Sequence, residues 1–517
     1  MNNYLLSVGI VLFLWSVYVG SVLIFLIMST SKEFGKIRQI IFPVHMHELR
    51  KVLPLFCLFM FIALTYFVLR SLKDMLILSY TKQVETLSFI KVYVVMPFMI
   101  LLTLFYGKLS NLGRNSRFII MMCYFLIVIG SCYYLFLPNI EAIKLDSFAD
   151  KFNSLLPGMR PLWEAVRFWP ATLIYLNAEA WGTMALGVLF WSFCNEIISF
   201  NDSKRIYSYL GLGAAVGTSL AGFIIKDFVG KDFNKGVGFS LIFISMVLGI
   251  YYYITLDSKR VPELYKVESK APKKTKIKMS FMDSFKFLLQ SKHLALIATL
   301  VLCYGAFMSL FEAILKAQSV RLAEKIGNES LSQIYGYQGI ANGGLSILFV
   351  LMAGWISKKS WKFKAFITPF IATVCTVLFV IFLFAGDGVA ILFGGGDSNS
   401  VIDPIKILWM TVIFGIVNQV TIKAAKYIMF DATKEQAYIP LDSETKLKGK
   451  AAVDGVGSRL GKSFGSFLIS APYIGLYNIF GSINSEGAKI SICIIIGLIL
   501  FFWLRAVIKL SSLLEKE

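Results

Sequence analysis

Charged side chains occur in this 517-residue sequence inside stretches that are otherwise apolar, and these are the residues placed to do chemistry. LRSLKDMLILSY (69–80) carries Arg70, Lys73 and Asp74, and Lys91 follows near the start of the next apolar run. NAEAWG (177–182) brings Glu179, with Asn195 and Glu196 at the far end of the same run. In EAILK (312–316), Glu312 precedes Lys316 by four residues, which puts both on one face of a helix. Asn418, Gln419, Lys423 and Lys426 fall in another run, and Asp454, Arg459 and Lys462 in the next. Ionised groups in apolar surroundings are costly and by default mark a site or a pathway. Cations outnumber carboxylates here. A cavity lined by Arg and Lys suits a multiply charged anion, with phosphates the obvious candidate. Taken singly, each charge has the blander reading of an ion pair between helices. Glu179 and Glu312 also have two readings: pairing the cations between visits of the anion, or carrying a coupling proton.

Two motif-like stretches carry less. GVGSRLGKS (455–463) resembles a phosphate loop, but three residues rather than four separate Gly457 from the Gly-Lys-Ser. No strand precedes it, and helix-packing glycines explain it better. HMHE (45–48) offers two His and one Glu in a short juxtamembrane segment, a poor metal site. The one other histidine is His293, so neither a His-dependent triad nor a His-rich metal centre is expected. The seven cysteines all fall within apolar runs, where they read as small packing residues. No metal and no cofactor is expected.

The elements that must position these charges are membrane helices. Hydrophobic residues make up 57% of the chain and charged residues 16%, an apolar excess that a water-facing surface would not carry. Runs long enough to cross about 30 Å of hydrocarbon recur from 52–80 to 488–508, twelve in all, with one more at 4–28. The net charge of +20 sorts by loop: 33 of the 51 Lys and Arg fall on one side, assigned to the cytoplasm, against 12 on the other. The basicity is therefore mostly topogenic, and nucleic acid is not an expected partner. Both ends of the twelve-span core are placed in the cytoplasm. The expected domains are a six-helix bundle at 29–256, a basic linker at 257–293 and a second six-helix bundle at 294–517. A polar linker between equal halves lets them rock. Residues 4–28 lack a basic n-region and a small-residue cleavage pattern, so they read as an extra N-out helix, unless translation starts at Met28. SKRIYSYLGLGAAVGTSLAG (203–222) and KGKAAVDGVGSRLGKSFGSF (448–467) echo each other, as a parallel duplication would leave them.

At the charged stretches the sequence resembles the ATP/ADP translocases, or nucleotide transporters, of obligate intracellular bacteria and plastids. The matching segments are FPVHMHELRKVLPLF (42–56), LRSLKD (69–74), AEAWG (178–182), LFWSFCNEI (189–197), KYIMFDATKEQAYIPLD (426–442) and KLKGKAAVDGVGSRLGKS (446–463). The resemblance spans about residues 34–510. It implies an all-α, major-facilitator-like integral membrane protein with two six-helix bundles, exchanging ATP for ADP in a bacterial inner membrane. It also implies that the cavity Lys is Lys73, the acidic residues are Glu179 and Glu312, and the basic residue near KGKAA is Lys446, with Lys448 and Lys450 as alternatives. Arg70, Lys73, Lys446, Arg459 and Lys462 are thus the expected substrate-binding groups. Glu179, Glu312, Lys316 and Asp454 are the expected gating or coupling groups. The family's E-V-T-W-K reads EAILK (312–316) here, its AELWG reads AEAWG, and its N-x-L-S-K reads NQVTIK (418–423). These departures leave a proton-coupled or broad-specificity net importer as the alternative. A membrane-embedded enzyme acting on phosphorylated lipid is the alternative from another class, although no acid–base pair or metal cluster sits at one membrane face. The protein is expected to be a monomer.

Overall fold

The structure is a computed structural model describing residues 44–109, 112–230, 232–265, 291–327, 329–357, 360–384, 404–441, 453, 458–475 and 482–514. The N-terminal apolar run 4–28 and most of the 257–293 linker lie outside the described residues. Twelve long helices account for the twelve expected spans, and no strand occurs among the described residues. The first half comprises α1 (Met46–Thr81), α2 (Glu85–Leu109), α3 (Asn115–Phe136), α4 (Trp169–Ile197), α5 (Phe200–Ile224, continued by a wide turn over Ile225–Val229) and α6 (Phe233–Arg260). The second comprises α7 (Lys292–Ile326), α8 (Glu329–Ser357), α9 (Trp361–Phe384), α10 (Pro404–Ala425), α11 (Ser458–Gly475) and α12 (Glu486–Leu514). Ten of these are long and apolar enough to cross a membrane among the described residues, all but α8 and α11.

Local chemistry sets the ends. The Glu48 carboxylate accepts the backbone N–H of His45 at 3.0 Å, so the HMHE stretch caps the start of α1. Lys82 ends α1 in the left-handed region, φ 55°, donating its N–H to the Leu78 carbonyl. Ser199, Asp232 and Ser291 accept backbone N–H groups at the starts of α5, α6 and α7. The stretch between α3 and α4, which falls between expected spans, holds the short helices Asp146–Leu155 and Arg160–Arg167. Arg167 stitches them together through Asp146, Asp150 and Glu164. Their charged and apolar residues alternate too briskly for a span, which is why hydropathy alone leaves them as loop.

Within the first half, α1 packs against α4, α5 and α6; within the second, α7 packs against α10, α11 and α12. Each half thus forms a bundle of six helices, and the halves meet through α5 with α8, α2 with α11, and α1 with α8. Glycines permit the closest of these approaches. A Cβ on Gly222 would stand 2.5 Å from the Ile340 nitrogen and 2.6 Å from the Gly336 oxygen, both backbone atoms of α8.

The two ends of the bundle are fastened differently. Where α6 finishes, a set of polar contacts among the described residues ties the first half to itself. Arg50 grips Asp257 at 2.6 Å, Tyr265 donates its hydroxyl to the same carboxylate at 2.9 Å, and Lys51 donates to the Leu264 carbonyl at 3.1 Å. Burial and this bond to Asp257 push the Tyr265 hydroxyl pKa up from its ordinary value. At the opposite end the halves are tied to each other. Buried Glu85 accepts the Ile483 N–H, Phe89 and Tyr473 meet edge to face at 5.7 Å, and Gly158 lies against Ile474.

Gly222→Val should wedge α5 from α8 and cost about 1–3 kcal/mol or more, read as a lowered thermal unfolding midpoint in detergent. Gly211→Ala, whose Cβ would meet nothing within 4 Å, should leave the midpoint unchanged or raise it, because Ala is the better helix former by ~1 kcal/mol.

Candidate functional site

The charges scattered along the sequence converge on one cluster between the halves. Asp74, only 1% exposed, accepts Lys73 at 3.1 Å and Lys316 at 2.7 Å. Lys73 also reaches Glu179 at 3.0 Å. Glu312 accepts Lys316 at 3.1 Å and Arg70 at 3.2 Å, with Lys91 at 4.0 Å. The result is a chain of alternating sign, Glu179–Lys73–Asp74–Lys316–Glu312–Arg70, contributed by α4, α1 and α7 with α2 at its flank. It crosses from one half to the other through Lys316–Asp74, Arg70–Glu312 and Lys91–Glu312.

Each helix holds its charge by a specific local device. Lys73 is 3% exposed, and its ammonium lies 3.7 Å from the centroid of the Tyr175 ring one turn before Glu179, a cation–π contact in a desolvated place. Glu179 is aimed by its neighbour Trp181, which is fully buried and donates its indole N–H to the Ile62 carbonyl of α1 at 3.0 Å. Directly after Trp181 the α4 backbone widens into a π-helical stretch over Gly182–Leu189. Similar stretches hold Lys91 (Ile90–Val95), Lys226 (Ile225–Val229) and Lys426 (Lys426–Phe430). Such local widening re-aims side chains, and it gathers at functional places in membrane helices.

Beside the network lies a small internal cleft of about 20 Å³ in this conformation, roughly the room of one water molecule. Arg70, Asp74 and Glu312 form its charged wall together with Lys423 of α10. Tyr335, Gln338 and Asn342 of α8 form the facing side. Lys423 is in no ion pair with a described residue, and neither is Lys462, which is exposed on α11. Counting the members named, five cations (Arg70, Lys73, Lys91, Lys316 and Lys423) stand against three carboxylates (Asp74, Glu179 and Glu312). An anion of two or more charges would complete the balance.

Of the residues singled out from sequence, Arg70, Lys73, Glu179, Glu312 and Lys316 come together. Lys462 makes no ion pair in that chain, although its charge is near enough to act on Glu179, Arg70 and Glu312. Lys446 and Asp454 lie outside the described residues, as does the side chain of Arg459 in α11. The sequence reading expected surplus cations without protein partners; Arg70, Lys73, Lys91 and Lys316 do have them, and the surplus rests on Lys423 and Lys462 among the described residues. Tyr175 and the α8 side chains were not singled out. Asn342 sits in GIANGG (339–344), where small residues dominate the pattern, so packing was the signal that showed. No group of three His, Cys, Asp or Glu able to hold a metal occurs among the described residues.

Two helical bundles that meet over an internal, cation-rich ion network define a membrane transporter. The chain belongs to the TLC ATP/ADP transporter family, whose model matches residues 27–513. It is 34% identical to ADP,ATP carrier protein 1 of Chlamydia pneumoniae, over 94% of this chain and 95% of that one. It is 32% identical to the protein of the same name from Chlamydia trachomatis serovar D, covering 94% and 92%, and from Rickettsia typhi, covering 93% and 98%. Among solved structures it is similar to the E. coli fucose:proton symporter FucP, with a TM-score of 0.40 and 13% identity over 87% of this chain and 98% of that one.

Asp74→Ala should cost about 3–5 kcal/mol in stability because two buried ammonium groups lose their shared partner. The balanced double change Asp74→Asn with Lys316→Met should cost less than the sum of the single changes, since it removes both charges of a pair and leaves Lys73–Glu179 and Arg70–Glu312 intact. Chemical or thermal unfolding of wild type, Asp74→Ala, the two single variants of the cycle and the double variant in one detergent measures both.

Proposed function

We propose that this protein exchanges ATP for ADP across a bacterial inner membrane by alternating access, with the nucleotide phosphates held at the cluster between α1, α7 and α10. Relatives at 32–34% identity are named ADP,ATP carriers, which supports this cargo. The observation that carries the reading is the placement of Arg70 and unpaired Lys423 on one cavity wall, continuous with a network that already bridges the halves. Phosphate oxygens entering there compete with Glu312 for Arg70 and Lys316. Binding therefore loosens the bridges between the halves while supplying charges to replace them.

This gives exchange a physical basis. Moving the halves apart through Arg70–Glu312 and Lys316–Asp74 with nothing bound leaves charges unpaired where the dielectric is low. A bound nucleotide removes that penalty in both directions, so the empty carrier stays put and the loaded one crosses. Lys73 and Glu179 hold the first-half end of the chain, and Lys316 the second. Lys446, Arg459 and Lys462 belong to the same half as Lys423 and fit the role of further phosphate contacts; Asp454 fits that of a gating partner.

Orientation follows from charge. The end at which α6 finishes carries the Lys- and Arg-rich loops and is assigned to the cytoplasm. The halves are tied at the opposite end, by Glu85 with Ile483 and Gly158 with Ile474, so the conformation fits one whose cavity faces the cytoplasm. Residues 29–256 and 294–517 act as the two rocking units, joined by the 257–293 linker, while 4–28 adds a membrane helix ahead of them. One chain lines the whole cavity, so a monomer suffices.

Lys73→Ala should abolish labelled ATP uptake into expressing cells, and an active variant would sink the assignment. Preloading proteoliposomes with ADP should accelerate ATP uptake at least severalfold; acceleration by an imposed pH gradient instead would favour proton-coupled net import. A Cβ on Gly158 would stand 2.7 Å from the Ile474 carbonyl oxygen, so Gly158→Val should wedge the halves apart at this end and lower the exchange rate; undiminished exchange in the variant would argue against alternating access as drawn.

A further inference from the structure

The face of α8 opposite the cations is unlike the rest of the cavity. Tyr335, Gln338 and Asn342 stand three and four residues apart, which stacks them along one side of the helix, and all three line the cavity that holds Arg70 and Lys423. They are neutral, and each can both donate and accept a hydrogen bond. Tyr335 is 7% exposed, and its hydroxyl has no hydrogen-bond partner; the buried amide oxygen of Asn342 has none either. Buried polar atoms are paired in the great majority of cases, so two orphans facing one cavity are a signal that the partner is a ligand. Phe67 of α1 adds an apolar plane to the same cavity. Its ring reaches α8 because position 339 is glycine: a Cβ there would lie 2.6 Å from Phe67 Cε1.

We propose that Tyr335, Gln338 and Asn342 read the hydrogen-bonding edge of the nucleobase, with Phe67 against its flat face, while the phosphates lie toward Arg70 and Lys423. This rests on the nucleotide reading above and assigns the half of the ligand that cations cannot recognise. A carboxamide presents an acceptor and a donor side by side, which matches the adjacent exocyclic amine and ring nitrogen of a base such as adenine. A base with a carbonyl in place of that amine leaves the buried acceptor unpaired, and a site built to hydrogen-bond rejects such an analogue strongly. The α8 face therefore sets selectivity among bases, and the ion network sets the requirement for phosphates. Arg70 and Lys423 are expected to serve any nucleotide equally.

The test is competition against labelled ATP binding to the purified full-length protein, using ATP, GTP, CTP, UTP and inorganic tripolyphosphate. Wild type should prefer some bases over others. Asn342→Ala and Gln338→Ala should each shrink the ratio between the best and worst nucleotide by about three- to tenfold, the value of one buried hydrogen bond. Tripolyphosphate, which has no base, should compete as well as before. Tyr335→Phe removes one oxygen and no ring volume, and it carries the test should an alanine variant fail to fold. Unchanged base ratios in the variants overturn the proposal, as does a parallel loss of tripolyphosphate affinity, which would make α8 a structural or phosphate-holding face. A wild type that binds nucleotides without regard to base also overturns it and leaves the nucleotide reading standing. A wild type that binds no nucleotide overturns that reading and this one with it.

Discussion

An ion inside a low-dielectric bundle must be paired at every moment, and the rest of this protein is arranged around that constraint. Asp74 at 1% exposure and Lys73 at 3% are tolerable because each touches two partners of opposite sign. The chain from Glu179 to Arg70 extends the same solution across the interface, so the halves are held together by the groups that would meet a substrate. Ordinary transporters of neutral cargo can separate gate from site. In the proposed cycle the electrostatic cost of opening and the electrostatic gain of binding fall on the same atoms, Glu312 above all, which faces Arg70, Lys91 and Lys316 together.

The helices are shaped to serve that cluster. Trp181 locks α4 to α1 through the Ile62 carbonyl, which fixes how far Glu179 stands from Lys73. The widened turn beginning at Gly182 then lets α4 continue without carrying Glu179 out of line. Gly222, Gly336 and Gly339 bring α5 and α1 close to α8, and that proximity walls the cavity on the side away from the cations. Apolar packing does the bulk of the stabilising in such a bundle, but small residues decide which polar groups can see one another.

Much of this was legible in the sequence because charge inside apolar runs is rare and therefore informative. Glu312 and Lys316 at i and i+4 announced their pairing, and it is present at 3.1 Å. The twelve long helices were legible from run length. What hydropathy does not encode is which helix faces which. Nothing in LRSLKD says that Asp74 will sit between lysines from two halves, because that depends on the approach of α1 to α7. Tyr335, Gln338 and Asn342 were invisible for a different reason. Neutral polar residues among glycines give the same pattern whether they pack or bind, and only the unpaired hydroxyl and amide oxygen tell these cases apart. The helices at 146–155 and 160–167 were missed because short amphipathic segments carry no run-length signal.

The distribution of contacts between the halves also constrains how such a carrier can move. At the end opposite the linker the ties include a carboxylate accepting a backbone N–H, an aromatic edge, a glycine seated on a carbonyl and the close packing of α5 against α8, where Lys226 lies over the Tyr337 ring at 5.2 Å. The charges among them, Glu85 and Lys226, lie near helix ends where water can replace their partners. The bridges at the cluster are different, since water cannot follow them into the bundle. In the proposed cycle, opening from the far end must unpack α5 from α8 and then reaches Lys316–Asp74 and Arg70–Glu312, where an anion is needed to take over the charges. A fold that placed the charged bridges at the mouth and the neutral ones at the centre would leak, because water at the mouth would release it with no cargo bound. In this proposed cycle it is the depth of the charges, rather than their number, that makes passage depend on the substrate.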